Sequence, residues 1–387
     1  MKITMETRKL KKIIADMNRH AAPIDPQSLS KKGAFSLQVL KGFLCIFSQN
    51  PAVSAGGKLP VEVEGENMSG TFYVSAELLL PILETLKEDN TTIELLSNRM
   101  SITSGRAKFN IVLNYDAEAS IPKLEKKTPF YTAVYTAEEW KYLATKLLKF
   151  LDKKTEKATL SNVCLAVEKG NANYYATDAH SLGKVETKTN TEANGATIVS
   201  HAIFRINAEK LEVAYCNDCT IVKTEDIIFN YRGFVETIPP FEQVIPKTNS
   251  KCSFAVEDFR SALKNIGVIA NFEFFGDGDK KEYSKGVQIY FTSDKIVLYT
   301  ANQIAGEIKA EVPVSSISES LIGTRNTLGY QLLTSAIDSL TFDTATIEGM
   351  VDENGLGKRP LLIRDEERSL AVICPLSNNE YALDGKL

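Results

Sequence analysis

The sequence predicts an α+β fold in which one unit of antiparallel sheets with two helices occurs three times along the chain. Amphipathic helical patterns recur at corresponding places in each third, and short β-rich runs fill the stretches between them. The first two thirds also end alike, in proline-bearing segments that favour extended connections over paired strands. These segments are Ile121–Leu124 and Ile238–Pro246.

The first helix of each unit has the clearest pattern. Apolar residues recur at helical spacing, as at Leu10, Ile13 and Ile14, and give each helix one apolar stripe. In the middle unit Thr136 is a candidate N-cap, and Glu139 completes a capping box. The predicted helices are Glu6–His20, Ala137–Lys153 and Glu257–Ile266, which follow strand-like runs at Ile3–Met5, Ala133–Tyr135 and Cys252–Ala255.

A second helix is predicted later in each unit, with Ser75 and Asn207 as N-caps. Pro81 lies inside the first of these helices and should kink or shorten it. The spacing of the starts implies units of about 120–130 residues. The predicted second helices are Ser75–Lys87, Asn207–Asn217 and Leu328–Leu340, and the predicted domains are residues 1–125, 126–247 and 248–387.

Three polar stretches are predicted to be solvated loops: Asn50–Gly57, Lys188–Gly195 and Gly276–Lys285. Asp277 begins a pattern that resembles a calcium loop. Gln288 stands where an EF-hand loop needs its twelfth-position glutamate, so the stretch is interpreted as a plain turn.

Composition limits the class of protein. The chain has 387 residues, 43% of them hydrophobic, and a formal net charge of −4. About two to four domains are expected, and no run is long enough to span a membrane. The N-terminus lacks the apolar core of a signal peptide, so a cytoplasmic location is expected. The net acidity requires any nucleic-acid-binding charge to be gathered on one surface.

The six cysteines are expected to be reduced thiols. Cys216 and Cys219 form a single CxxC pair, whereas a structural zinc site needs four ligands. The chain has only three histidines. The sequence therefore predicts neither a metal site nor a cofactor.

The turn between Thr177 and Leu182 carries Asp178 and His180 between two strand-like runs. Three explanations are open: a catalytic pair, the rim of a ligand site, or a structural corner in which the aspartate caps local N–H groups. The residues alone favour the corner. Catalysis is least favoured because no nucleophile motif, phosphate loop or zinc-protease motif accompanies the pair.

The stretch Ala-Thr-Asp-Ala-His-Ser-Leu, residues 176–182, resembles the Ala-Thr-Asp-Gly-His-Arg-Leu signature of the bacterial DNA polymerase sliding clamp. Other stretches resemble the same family in the same order: Ser104–Phe109 with Ile121-Pro122, the Ile238–Pro246 linker, and Leu332–Leu340 with Ala371–Leu376. The resemblance implies three tandem clamp domains, with sheets outside and helices inside. It also implies a head-to-tail homodimeric ring around duplex DNA that tethers polymerase and clamp-loader subunits, without enzymatic activity or sequence readout.

The resemblance also assigns a pocket for short hydrophobic partner peptides. The implied residues are Leu160, Thr177, His180, Leu182, Pro239, Val244, Val372, Ile373, Cys374, Pro375 and Leu376. Three positions depart from the family pattern: its glycine is Ala179, and two arginines are Ser181 and Gln243. The C-terminus also departs, with Cys374-Pro375-Leu376 followed by an added tail, residues 377–387. A different peptide preference is therefore expected.

By the same resemblance, cationic residues of the first helices would face DNA through weak, salt-sensitive phosphate contacts. The implied residues are Arg8, Lys9, Lys12, Arg19, Lys141, Lys146, Lys149, Arg260 and Lys264. The alternative is an ordinary solvated helix face, and the predicted second helices are neutral or acidic. The implied dimer interface pairs Phe109 and Ile111 with Val268 and Ile269 of the other protomer.

Two other functions stay open at this stage. One is a clamp-like scaffold that does not encircle DNA. The altered pocket and the acidic second helices favour this alternative. The other is a hydrolase that uses Asp178 and His180.

Overall fold

A computed structural model describes residues 1–25, 29, 34–66, 68–124, 127–275, 281–283, 286–302, 305–353, 355–356 and 359–376. Six α-helices occur in this part of the chain: α1 Thr7–Ala21, α2 Ala76–Thr85, α3 Ala137–Leu147, α4 Ala158–Ser161, α5 Val256–Ala270 and α6 Tyr330–Asp338. Short 3-10 helices occupy Leu148–Phe150, His201–Arg205, Phe241–Val244 and Glu319–Leu321. None of the helices in the described ranges has the length and apolar character needed to cross a membrane.

The strands are short and numerous. The first fourteen are β1 Lys2–Glu6, β2 Phe35–Leu40, β3 Phe43–Gln49, β4 Val53–Pro60, β5 Glu62–Glu64, β6 Thr71–Val74, β7 Asn90–Leu95, β8 Arg99–Ser104, β9 Ala107–Val112, β10 Asn114–Asp116, β11 Tyr131–Thr136, β12 Val163–Glu168, β13 Asn171–Thr177 and β14 Ser181–Lys188. The others are β15 Gly195–Val199, β16 Lys210–Tyr215, β17 Cys219–Lys223, β18 Ile227–Arg232, β19 Ser250–Ala255, β20 Glu273–Phe275, β21 Lys281–Tyr283, β22 Gly286–Phe291, β23 Lys295–Asn302, β24 Gly306–Ile317, β25 Arg325–Gly329, β26 Thr344–Gly349, β27 Leu361–Glu366 and β28 Ser369–Ile373.

Two compact units divide the chain. The first comprises residues 1–139 and 202–235, and the second comprises residues 140–201 and 236–387. The first unit contains a five-stranded sheet, in the order β5-β1-β7-β8-β9, and a nine-stranded sheet, in the order β10-β6-β2-β3-β4-β18-β17-β16-β11. The second contains a twelve-stranded sheet, in the order β15-β12-β13-β14-β28-β27-β26-β19-β24-β23-β22-β25, and the β20-β21 hairpin. All the pairings are antiparallel, so the α+β class with antiparallel sheets is confirmed, while the three domain boundaries stay a prediction.

The apolar stripes explain how the long helices pack. On α1, Leu10, Ile13, Ile14 and Met17 are all buried, as their spacing predicts. The stripe of α5 is buried in the same way, with Phe259 fully enclosed. Thr136 and Glu139 form the predicted capping box at the start of α3, with the Thr136 N–H donating to the Glu139 carboxylate at 2.8 Å. Pro81 lies inside α2, which ends at Thr85, earlier than predicted.

The helix predicted over Asn207–Asn217 is wrong, because this stretch forms β16. Leu211, Val213 and Tyr215 are buried, and they alternate with the more exposed Lys210, Glu212 and Ala214. This period of two is typical of a strand with one buried face. A 3-10 helix, His201–Arg205, comes before the strand, so the repeat spacing counted from Asn207 does not hold.

The solvated loop predicted over Asn50–Gly57 is also wrong for most of its length. Residues from Val53 onward form β4, and its small buried residues lie beneath α1. A Cβ atom on Gly57 would lie 2.8 Å from Ile13, so glycine permits the close approach of helix and strand. Lys188–Gly195 does connect β14 to β15, as predicted. Most of Gly276–Lys285, including Asp277, lies outside the described residues.

Candidate functional site

The candidate pocket is built on one face of the twelve-stranded sheet. In register, Thr177 of β13 lies opposite Leu182 of β14, and Leu182 lies opposite Val372 of β28. Residues in register on neighbouring strands share a sheet face, so these three side chains form one row. A neighbouring row contains Cys164, Tyr175 and Lys184. Two predicted pocket residues, Leu182 and Val372, therefore come together although they lie far apart in the sequence.

The segment 236–246 covers this sheet face. Phe241 is buried and stacks on Tyr175 with ring centroids 4.9 Å apart. Phe241 belongs to one apolar cluster with Leu182 and Val372, and Ile238 and Ile245 pack against the cluster. Beside the cluster, Val244 is 57% exposed. Pro239 is also exposed, and Leu160 is half-buried. These residues leave apolar surface accessible at the rim of a buried core.

Two carboxylates fix this covering segment in place. Glu236 accepts hydrogen bonds from the N–H groups of Ala158 (2.9 Å) and Thr159 (3.0 Å), which lower the pKa of Glu236. Glu242 accepts a hydrogen bond from the Tyr175 hydroxyl at 2.5 Å and pairs with Lys184 at 2.7 Å. Burial alone would raise the pKa of Glu242, but these hydrogen bonds hold it below the ordinary value. Both carboxylates are therefore ionised at neutral pH.

The turn at Asp178 is a structural corner. Asp178 Oδ1 accepts a hydrogen bond from the His180 N–H at 2.9 Å. It also accepts hydrogen bonds from the N–H and the hydroxyl of Ser181, at 2.6 and 2.9 Å. Ala179 has a φ of +73°. This left-handed backbone favours glycine, which the family signature has at this position. The carboxylate caps the backbone and the His180 side chain is exposed, so the geometry does not support a catalytic pair.

The end of β28 is fastened to its neighbours. The Cys374 N–H donates to the His180 carbonyl at 2.9 Å, and the Leu376 N–H donates to the Thr327 carbonyl at 2.9 Å. Burial raises the pKa of the Cys374 thiol, and the nearby Asp178 adds to this effect. Cys374, Pro375 and Leu376 are half-buried. The added tail, residues 377–387, lies outside the described residues.

One assigned pocket residue does not join this face. Ile373 is fully buried. Because successive strand residues point to opposite sides, its side chain lies on the other face of the sheet from Val372. Four residues that build the site were missed in the sequence: Tyr175, Glu236, Phe241 and Glu242. Only the position of Phe241 after two prolines gave a local signal, since the other three act through partners distant in sequence.

The assigned DNA-facing cations of α1 are accessible. Arg8, Lys9, Lys12 and Arg19 are all exposed. Among the described residues, their ion pairs are those within the helix region, from Lys9 to Glu6 (3.6 Å) and from Arg19 to Asp16 (3.4 Å). On α5, Lys264 is exposed, while Arg260 donates to the Leu340 carbonyl at 2.8 Å.

Lys146 has a different environment from the one predicted. It is only 4% exposed and pairs at 2.5 Å with Asp365, whose side chain is fully buried. Asp365 also accepts the N–H groups of Thr341 (2.5 Å) and Phe342 (3.1 Å). Burial alone would raise the pKa of Asp365, but these partners lower it. Lys146 is therefore a core residue, and its assignment to a DNA-facing surface is wrong. Lys141 stays exposed, and Lys149 is partly exposed beside Asp338, at 3.0 Å.

Two of the residues assigned to a dimer interface lie on a strand at the edge of a sheet. Strand β9, with Phe109 half-buried and Ile111 buried, is the last strand of the five-stranded sheet. The neighbouring Val112 is 62% exposed and was not among the predicted residues. At the end of α5, Val268 is exposed and Ile269 is half-buried. The structure thus gives one exposed apolar residue at each of the two predicted surfaces.

Comparison with solved structures identifies the fold. The chain superimposes on the DNA polymerase III beta subunit of Thermotoga maritima with a TM-score of 0.79 at 18% identity, covering 97% of this chain and 99% of that one. The Bacillus subtilis DNA polymerase sliding clamp gives 0.80 at 17% identity, with 98% and 99% covered. The Helicobacter pylori beta clamp bound to a DNA ligase peptide gives 0.81 at 14% identity, with 98% and 100% covered.

No protein-family model matches the sequence, and no curated protein sequence does. At these identities the structural likeness establishes the fold. The chain has the fold of the bacterial sliding clamp, the DNA polymerase III beta subunit, over nearly its whole length. The fold implied by the sequence resemblance is confirmed.

Proposed function

We propose that this protein is a DNA sliding clamp. In this function two copies close head to tail into a ring around duplex DNA and tether polymerase and other factors, without catalysing a reaction. The observation that carries the proposal is the likeness to clamp structures over at least 97% of the chain. The exposed cations of α1 and the apolar rim around Val244 support it.

The absence of sequence readout follows from the chemistry of the proposed contacts. Flexible, exposed lysine and arginine side chains attract phosphate oxygens, which carry no sequence information. Their binding weakens with salt because counterions compete for the backbone. Contacts of this kind hold a ring near the duplex and still permit movement along it.

The deciding experiment measures topological retention. The dimer is dissociated by dilution and then reconcentrated together with nicked circular DNA, so that rings close around the circle. Gel filtration in high salt then removes protein held only by charge. The proposal expects protein to stay with the circle and to be lost after the circle is cut once. Equal loss from circular and cut DNA would overturn it.

The clamp-like scaffold remains the second candidate, and the burial of Lys146 favours it because one assigned DNA contact is removed. A scaffold would bind partner peptides and show no difference between circular and cut DNA. For the peptide arm, Val244→Gln replaces an exposed apolar residue by a polar one of greater length. Binding of hydrophobic peptides should weaken in this variant, whereas a matched exposed change, Val134→Gln, should leave it unchanged.

A further inference from the structure

Among the described residues around the candidate pocket, the carboxylates outnumber the cations. Asp178 stands on the corner, Glu242 on the covering segment, and Glu236 at its start. All three belong to the second compact unit. Lys184, the cation within this set, is only 13% exposed in its side chain, and it lies between Glu242 (2.7 Å) and Glu186 (3.8 Å). Its charge is therefore already balanced inside the protein.

Two carboxylate oxygens at this rim have unused capacity. Glu242 receives both of its hydrogen bonds on Oε1, and its side chain is 59% exposed. Asp178 receives all three of its hydrogen bonds on Oδ1. Among the described residues no donor reaches the other oxygen of either group. A carboxylate has about four acceptor sites, so both groups can still bind an ammonium or a guanidinium.

We propose that the pocket selects peptides in which an apolar anchor is flanked by lysine or arginine. The apolar anchor meets the accessible residues Val244, Pro239 and Leu160 at the rim of the buried core. The basic flank meets Glu242 and Asp178. This inference rests on the proposed function, since it specifies the partner of the same pocket. Charge complementarity at a partly exposed rim adds selectivity and a faster encounter more than it adds affinity.

The other polar residues near the rim are consistent with a partner peptide that has a basic flank. Gln243 is exposed and uncharged, and the hydroxyl of the buried Ser181 already donates to Asp178. Lys157 is an exposed cation near Glu236, but Glu236 spends both of its oxygens on the N–H groups of α4. At Glu242 and Asp178 an acidic peptide flank would meet like charge, and a basic flank would meet opposite charge.

The test begins with a random dodecapeptide library displayed on phage. It is selected on the full-length protein after removal of phage that bind Val244→Gln. The inference expects the enriched peptides to carry an apolar core with lysine or arginine beside it. Pocket-dependent peptides with neutral or acidic flanks would overturn the inference and leave the proposed peptide pocket intact. If no peptide depends on Val244, the proposed pocket itself fails.

An enriched peptide is then synthesised in two forms, with its flanking positions as lysine or as glutamate. Fluorescence anisotropy should show the lysine form binding roughly three- to tenfold more tightly at low salt, which is the range of one or two exposed charge pairs. The preference should shrink as salt rises. Glu242→Gln keeps the acceptor for Tyr175 and should remove a large part of the preference, as should Asp178→Asn. Glu319→Gln, an exposed glutamate on another segment, is the matched control. An unchanged preference in both rim variants would contradict the assignment.

Discussion

Helices α1 and α3 have a similar sequence character and place their cations in different environments. Both have an apolar stripe beside a row of lysines. In α1, Arg8, Lys12 and Arg19 are exposed. In α3, Lys146 is enclosed and paired with Asp365 of β27. An exposed lysine can bind an external anion, whereas a buried paired lysine belongs to the core, so the two helices should respond differently to the same substitution.

Helix α1 also contains both kinds of lysine, exposed and partly buried. Lys11 is half-buried, and its ammonium donates to the carbonyl oxygens of Glu84 and Leu86, at the end of α2. Cations near a helix C-terminus satisfy carbonyl groups that lack partners in the helix. The exposed fraction of a lysine and the groups around it decide its role, and its position in a basic stretch of sequence does not.

The largest expected effect is on the buried pair. Lys146→Met leaves Asp365 as an uncompensated buried carboxylate, and should lower the free energy of unfolding by about 3–5 kcal/mol. Urea unfolding followed by circular dichroism measures this change. Lys141→Met on the same helix is the control, and as an exposed change it should stay within about 0.5 kcal/mol.

A second variant separates charge from packing. In Lys146→Met with Asp365→Asn, the amide oxygen can still accept the N–H groups of Thr341 and Phe342. Much of the missing stability should return, because no buried charge remains unpaired. If Lys146→Met alone were as stable as the Lys141→Met control, the ion pair of Lys146 with Asp365 would not be what makes α3 different from α1.

The next effect is on DNA. Replacing Arg8, Lys12 and Arg19 of α1 by glutamine should weaken duplex binding about tenfold or more at low salt. The slope of log affinity against log salt should fall by about 0.9 for each phosphate that the variant no longer neutralises. Filter binding over a salt series measures both. Glutamine at Lys169, Lys188 and Lys223, three exposed lysines elsewhere, makes a charge-matched control. Equal effects in the two triple variants would mean that α1 has no special part in DNA binding.

Periodicity in the sequence predicted most of the helices, because the stripe Leu10, Ile13, Ile14 reports the buried face directly. The corner at Asp178 was also predictable, since its partners lie within three residues. Both features depend on residues that are close together in the sequence, so the sequence pattern alone can predict them. The fold as a whole was predictable through the resemblance of separated short motifs to the clamp family.

The features that could not be predicted from the sequence depend on partners that are far away in the chain. Asp365 lies 219 residues from Lys146, and Glu242 lies 67 residues from Tyr175, so neither pair leaves a local pattern. Over Asn207–Asn217 a suitable N-cap favoured a helix, although Leu211, Val213 and Tyr215 already alternate as in a strand. Tertiary pairing with β11 and β17 decides this stretch.

A smaller effect concerns acid. The pKa of Asp365 is lowered in the folded protein, so its ionised form contributes stability above the unfolded pKa of about 3.9. That contribution disappears as the pH falls through the lowered folded value. Between about pH 5 and pH 3, unfolding free energies of the parent protein should fall more steeply than those of the variant Lys146→Met with Asp365→Asn. Burial lowers the pKa of Lys146, while its partner Asp365 opposes that shift. Parallel pH curves would show that the pair does not contribute to acid unfolding.

The smallest expected effect is on Lys149, an exposed lysine three residues after the buried Lys146. Lys149 pairs with Asp338 at 3.0 Å, but both side chains are about 40% exposed. Water screens such a pair, so Lys149→Ala should cost only about 0.2–1 kcal/mol, and the cost should shrink further in high salt. Urea unfolding at low and high salt measures this, with Lys153→Ala as an exposed neighbouring control. The destabilisation in Lys146→Met should persist in salt, because buried charges are poorly screened. If the two lysine variants were equally destabilised with equal salt dependence, burial could not be the property that separates Lys146 from the exposed cations of α1.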